Sequence, residues 1–319
     1  MAKNGLAKAF NGFVIYESNG DYPIDLQKIP ELIAKGADET QAEFSDLRYV
    51  IATEEELSSI GFEAVIPLEV TADGELVREE EYVHSVGTFD VLKIKQSKRK
   101  VPGTEVKKIV ARKTKQAIED AQARGQTIKV NKQLKDIFKE EAIKELLPRC
   151  FIDEFTTFVF LDKATERLYV AVPSHKKAED LTAFLRKVLG SLPITPLITE
   201  RPIVSAMTDF VTGQLKDKIT LGTFVQMEDE EGIVAWKKES LYNSEAKELI
   251  ENSEKLVTKL GMEYDGVLSF VIDNEYVFSG VKFEDYVTAD GYDFSSTFLL
   301  IANELTGAVK ELLKELGEE

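Results

Sequence analysis

Apolar residues at helical spacing mark four long stretches of the chain. Over 104–123 they are Val106, Ile109, Val110 and Ile118, and Gly125 follows as a stop. Over 131–147 they are Leu134, Phe138, Ile143 and Leu147, with Asn131 as N-cap and Pro148 beyond the end. Over 174–189 they are Leu181, Phe184, Leu185 and Val188, closed by Gly190. Over 295–316 they are Leu299, Ile301, Leu305, Val309, Leu312 and Leu313. Shorter helices are expected over 206–213 and over 24–35, where Pro30 marks a kink or an early start. Thr53 and Glu56 have capping-box spacing, which predicts a short helix from there to about Ile60.

Alternating or β-branched runs predict strands over 9–17, 82–96, 222–227, 232–237, 255–264, 267–271 and 276–283. Asp73-Gly74, between 64–71 and 74–77, is a hairpin signal. The clearest β-hairpin joins 150–161 to 167–172. No βαβ rhythm connects these elements, so the class is α+β, with mixed antiparallel sheets and helices. The helices over 104–123 and 131–147 form an αα-hairpin joined by 125–130. Four segments follow: an N-terminal α+β region (1–90), a strand with the helical hairpin (91–149), a β-hairpin plus helix (150–200), and a C-terminal α+β region ending in a long helix (201–319).

Charge separates these segments. The 319 residues carry 57 acidic and 40 basic side chains, a net of -17. Segment 1–90 has a net of -13 and segment 150–319 a net of -14, whereas 91–149 holds 17 basic and 7 acidic residues. Lys107, Lys108, Arg112, Lys113 and Lys115 occupy much of the first hairpin helix. Such a basic segment in an acidic chain points to contact with a polyanion; a solvated helical surface is the plainer alternative. Hydrophobic content of 43% with 30% charged residues excludes a disordered or collagen-like chain. The single cysteine, Cys150, excludes an intrachain disulfide and a cysteine-rich metal framework, and suits a reducing cytoplasm. No apolar run approaches the roughly 20 residues of a membrane span, so no membrane partner is expected. Residues 1–10 lack the apolar core of a signal peptide.

Chemistry-bearing motifs are sparse. There is no phosphate-binding G-x-x-x-x-G-K-[ST] loop, no G-x-G-x-x-G and no H-E-x-x-H, so no cofactor, metal or catalytic residue is assigned. His84 and His175 lie in no nucleophile-elbow context, and His175 reads as a surface or capping residue. Glu105-Val-Lys107, with Asp90 upstream, faintly resembles a nuclease core, but Glu105 begins a helix, the wrong order for one. Cys150 reads as a buried structural thiol, and the acidic run 228–231 as a loop.

Residues 146–197 are the most specific stretch. They contain LLPR-x-F, then S-x-K-K-A-E-D, then L-R-K-x-L-G-S-L-P-x-x-P-L. This combination resembles the bacterial recombination-associated RdgC family, which has phage-borne relatives. The likeness continues over 101–108, 255–260 and 304–308 and is looser over 10–16, covering about two thirds of the chain. The resemblance implies a ring-forming homodimer whose positively charged hole takes double-stranded DNA with little sequence preference. It implies restraint of RecA-type recombination and a cytoplasmic, nucleoid-associated protein. Arg149 and Phe151 fall on the family's P-R-x-F motif near a subunit contact, where Phe151 is an aromatic anchor or else a plain core residue. Lys176, Lys177, Lys237, Lys238, Lys255 and Lys259 match family lysines and join the hairpin cations as candidate DNA contacts. Glu239 stands where the family can carry a glutamine, which places a negative charge at that corner. Two rival functions remain: a magnesium-dependent DNA exonuclease, a label some relatives carry, and an acidic protein-interaction or DNA-mimic module.

Overall fold

The alternation and helical periodicity of the chain resolve into two compact units that interleave along the sequence. A computed structural model describes residues 5–19, 23–36, 47–213, 215, 218–238, 240–241, 248, 252, 255–285, 287 and 292–318; Glu239 lies outside them. One unit comprises Met1–Ser45, Ala64–Lys93 and Thr157–Glu319, the other Asp46–Glu63 and Ile94–Thr156. The basic segment 91–149 falls in the second unit apart from its first three residues.

The first unit is built on an antiparallel sheet. Its strands are β1 (Gly12–Ser18), β5 (Val83–Val86), the leading part of β6 (Phe89–Arg99), the trailing part of β7 (Ile152–Asp162), β8 (Arg167–Val170), β9 (Ile194–Pro196), β10 (Ile219–Asp229), β11 (Gly232–Lys237), β12 (Leu256–Tyr264), β13 (Leu268–Asp273) and β14 (Phe278–Phe283). Their order is β11-β10-β12-β13-β14-β1-β8-β7-β6, with β5 beside β6 and β9 beside β1. A separate two-stranded ribbon, β3 (Glu69–Val70) and β4 (Leu76–Arg78), realises the Asp73-Gly74 hairpin signal. The 150–172 hairpin forms as expected, Phe160 opposite Tyr169 and Asp162 opposite Arg167.

Aromatic stacking fixes the middle of this sheet. Phe13 stacks on Phe278 at 4.3 Å and Phe160 on Tyr169 at 4.5 Å, while Phe298 meets Phe160 edge-on. Gly12 permits the close approach of β1 to β14, because a Cβ there would lie 2.6 Å from the Phe278 carbonyl oxygen. Helices α1 (Gly5–Ala9), α2 (Lys28–Lys35), α5 (His175–Leu189), α6 (Ile203–Thr212) and α7 (Phe294–Glu315) complete the unit. In α7, Phe298, Ile301, Leu305, Leu312 and Leu313 are buried, and Asp293 caps the helix by accepting from the Ser296 N–H. Pro30 lies in the first turn of α2, which settles it as an early-turn residue. Gly190 closes α5 with φ 75°.

The second unit holds β2 (Ser58–Glu63), the trailing part of β6, the leading part of β7, and the helical hairpin of α3 (Gly103–Ala123) and α4 (Lys132–Leu146). Asn131 caps α4 as expected, accepting from the Leu134 N–H at 2.9 Å. The helix expected over 53–60 does not form. Thr53 does meet Glu56 in capping-box fashion, N–H to Oε2 at 2.9 Å, but the turn hands over to β2. The reason is competition: Ser59 bonds the Val50 carbonyl and the Ser97 hydroxyl, and the Arg99 N–H donates to the Leu57 carbonyl. A strand partner is available there, and a four-residue apolar face is not. Cys150 is half-buried, its thiol donating to the Leu146 carbonyl.

Arg99 ties this unit together. Its guanidinium, 8% exposed, donates to the carbonyls of Ala52, Thr53, Leu147 and Cys150 at 3.1–3.3 Å. It thereby joins the 52–53 loop, the last turn after α4 and the start of β7. Replacing it with methionine leaves buried carbonyls without donors. Arg99→Met is expected to lose about 3 kcal/mol of unfolding free energy in urea. Lys100→Met, which removes only an exposed pair with Asp153, is expected to change it by less than about 1 kcal/mol.

Candidate nucleic-acid interface

The hairpin is thinly anchored. Val106 and Ile109 of α3 and Ala142 of α4 are buried, with Val101, Val110, Ile143 and Leu146 packed against them. From Thr114 to Glu141 no side chain is buried. Cross-helix ion pairs replace apolar contact: Arg112 with Glu145 at 3.1 Å and Lys113 with Glu141 at 2.6 Å. Lys108 pairs with Glu105 and Lys115 with Glu119 along α3. Four of the five α3 cations singled out in the sequence are therefore partly neutralised within the hairpin, and Glu105 is held by Lys108.

Lys107 is exposed and has no ion pair among the described residues. Neither have Lys98, Arg124, Lys129, Lys132, Lys135, Lys139 or Lys144, which the sequence reading passed over as site residues. A signal for some of them was present: Lys132, Lys135 and Lys139 recur at i, i+3 and i+7, one face of α4.

A groove of about 990 Å³ opens beside these lysines, entirely within the second unit. Leu57, Val101, Val106, Val110, Ala111, Ile118 and Ile143 line its floor. Lys98, Arg99, Lys107, Lys115, Lys135 and Lys139 lie around it, against one carboxylate, Asp136. Phe151, the motif aromatic, is 86% exposed, which overturns the core alternative for it. Arg149, two residues earlier, is also exposed.

The remaining candidate lysines lie in the first unit. Lys176 and Lys177 are exposed in the first turn of α5. On β10, Phe224 and Gln226 face away from the buried Val225 and Met227. Lys237 lies opposite Phe224 and Lys259 opposite Gln226, so both share that open face. The Lys237 ammonium sits 5.9 Å from the Phe224 ring. Lys238 follows with φ 67°, a left-handed conformation that a lysine rarely adopts. Lys259 faces Asp273 across β13. Lys255 is different: only 13% exposed, its ammonium bonds Asp229 and reaches the Gly232 carbonyl.

Residues 40–319 match the family described as "Putative exonuclease, RdgC". The chain belongs to the RdgC family. It is similar to the recombination-associated protein RdgC of Sodalis glossinidius, 31% identical over 258 residues, covering 76% of this chain and 82% of that protein. The relative from Aeromonas hydrophila is 31% identical over 249 residues, covering 74% and 80%. The relative from Yersinia enterocolitica is 28% identical over 303 residues, covering 90% and 94%. The match starts at residue 40 and covers more of the chain than the two thirds that the motifs implied.

Among the described residues no group of three or more His, Cys, Asp or Glu side chains is placed to hold a metal ion. The same residues include no helix long and apolar enough to cross a membrane. His175 starts α5 and bonds the Glu275 carbonyl, a surface tether as expected. His84 is buried, bridging Glu81 and Ser295 and meeting the edge of Phe294, so it ties β5 to α7.

The Lys255 ammonium is the main cause holding the Asp229 carboxyl below its usual range; the Gly232 and Glu231 N–H groups add to it. A carboxyl depressed in the folded state stabilises above its unfolded value of about 3.9 and loses that contribution as pH falls through the folded value. Lys255→Met is therefore expected to lower the unfolding midpoint at pH 6, with the gap from wild type narrowing below about pH 4. Thermal melts at the two pH values measure this.

Proposed function

We propose that this RdgC-family chain binds double-stranded DNA without sequence preference, as a homodimer, and so restrains a RecA-type recombinase. The observation that carries the reading is the hairpin: in an acidic chain, its Lys107, Lys129, Lys132 and Lys144 have no ion pair among the described residues. Such ammonium groups neutralise backbone phosphates and release counterions, which gives affinity without base readout. The acidic remainder repels duplex from other surfaces and focuses it on the cations. Lys176, Lys177, Lys237, Lys238 and Lys259 of the first unit are further candidate contacts. The relatives' name, recombination-associated, supports the recombinase link. Occupied duplex is closed to a strand-exchange filament with no bond made or broken, and the site of action is the cytoplasmic nucleoid.

Self-association is the second part of the proposal. An aromatic ring as exposed as Phe151, next to a charged Arg149, is a costly surface for a monomer and a good anchor for a partner. The apolar groove of a second copy offers the complementary hole. Two such contacts related by a twofold axis form a single isologous interface between the copies.

The family's exonuclease description supplies the rival reading. End-labelled duplex incubated with the protein and magnesium should remain intact; metal-dependent product would favour the rival.

Binding titrations over a range of salt test the cationic surface. Lys107→Ala and Lys132→Ala are each expected to lower the slope of log K against log salt by about one unit. Lys113→Ala is expected to lower it less, because Glu141 already shares that charge. Phe151→Asp is expected to shift sedimentation from dimer to monomer, and an unchanged dimer would remove Phe151 from the contact.

A further inference from the structure

The groove of the second unit combines two properties that self-association does not use together. Its floor is aliphatic, and Lys98, Lys107, Lys135 and Lys139 stand on its rim without an ion pair among the described residues. Arg99 adds a cation satisfied by carbonyls alone. The residues flanking Phe151 offer little free negative charge to this rim. The carboxylates beside that ring are already engaged in their own chain, Asp153 with Lys100 at 2.5 Å and Glu154 with Lys95 at 3.1 Å. Arg149 is of like charge to the rim. A contact made through residues 149–154 would place the ring on the floor and bring no unpaired carboxylate to the lysines.

We propose that the groove also takes an acidic peptide of another protein, one that carries an apolar anchor between carboxylates, and that this peptide competes with Phe151 of a second copy. The inference rests on the self-association proposed above for its competition, and on the groove alone for binding. The anchor replaces the aromatic ring on the floor formed by Val106, Val110 and Ile143. The flanking carboxylates meet the rim lysines, where desolvated charge complementarity favours the acidic occupant over a neutral one. Such a peptide is a device for opening the subunit contact.

The probe is a fluorescein-labelled twelve-residue peptide with leucine and phenylalanine anchors flanked by glutamates. One control has every glutamate changed to lysine, the other has both anchors changed to serine. Fluorescence anisotropy near physiological salt, where the Debye length is about 8 Å, reads specific contact over long-range attraction. Wild type is expected to bind the acidic peptide at least tenfold more tightly than either control. Val110→Asp in the floor and the double variant Lys135→Glu, Lys139→Glu on the rim are each expected to weaken it tenfold or more. Lys310→Glu on α7, which does not line the groove, is expected to leave it unchanged. The rim variant is exposed and keeps the test open if the floor variant fails to fold. Saturating peptide is expected to convert wild-type dimer to monomer in sedimentation.

Equal affinity for the three peptides, or full affinity in the rim variant, overturns the proposal. So does binding that occurs only after Phe151→Asp, since the second copy is then the sole occupant of the groove. A wild type that binds the acidic peptide yet is monomeric throughout supports the groove as the peptide's site and overturns the self-association reading instead.

Discussion

The guanidinium of Arg99 is the constraint on which the second unit depends. Four backbone carbonyls from three segments converge on it, and among the described residues no carboxylate does. A planar, permanently charged fork suits this task, since it directs several donors at once and cannot shed its proton. The loop before β2, the end of α4 and the start of β7 are brought to one point by it. The base of the hairpin and the placement of Phe151 follow from that convergence. A lysine has neither the reach of directions nor the flat geometry to replace it.

Above this base the hairpin is a compromise between charge and packing. A segment with 17 basic residues repels itself, and the fold answers with carboxylates rather than with apolar burial. Glu141 and Glu145 of α4 reach across to Lys113 and Arg112 of α3. Pairs of this exposed kind contribute little each, about 0–1 kcal/mol. They also redistribute the usable positive charge, from the face of α3 that composition emphasised to Lys107 and to the α4 row of Lys132, Lys135 and Lys139.

That shift marks where the sequence was legible and where it was not. The long helices, the helical hairpin with its Asn131 cap, and the 150–172 β-hairpin follow from periodicity and local caps, because those signals are written within a few residues. The 53–60 segment misleads for the same reason: Thr53 and Glu56 make their local bonds, and the partner strand that overrides them is about forty residues away. Lys255 was legible as a motif lysine, but its commitment to Asp229 depends on the turn between β10 and β11. The groove could not be read at all, since Leu57, Val101, Val110 and Ile143 are brought together only by folding.

The stretch from Thr114 to Glu141 contributes no side chain to a core. Its backbone amides are therefore guarded by helix hydrogen bonds and marginal helix–helix contact, so they open by fraying from the tip without disturbing the base. Hydrogen exchange along α3 and α4 then forms a gradient rather than a single cooperative step. An element with this gradient bends to follow a surface at small energetic cost.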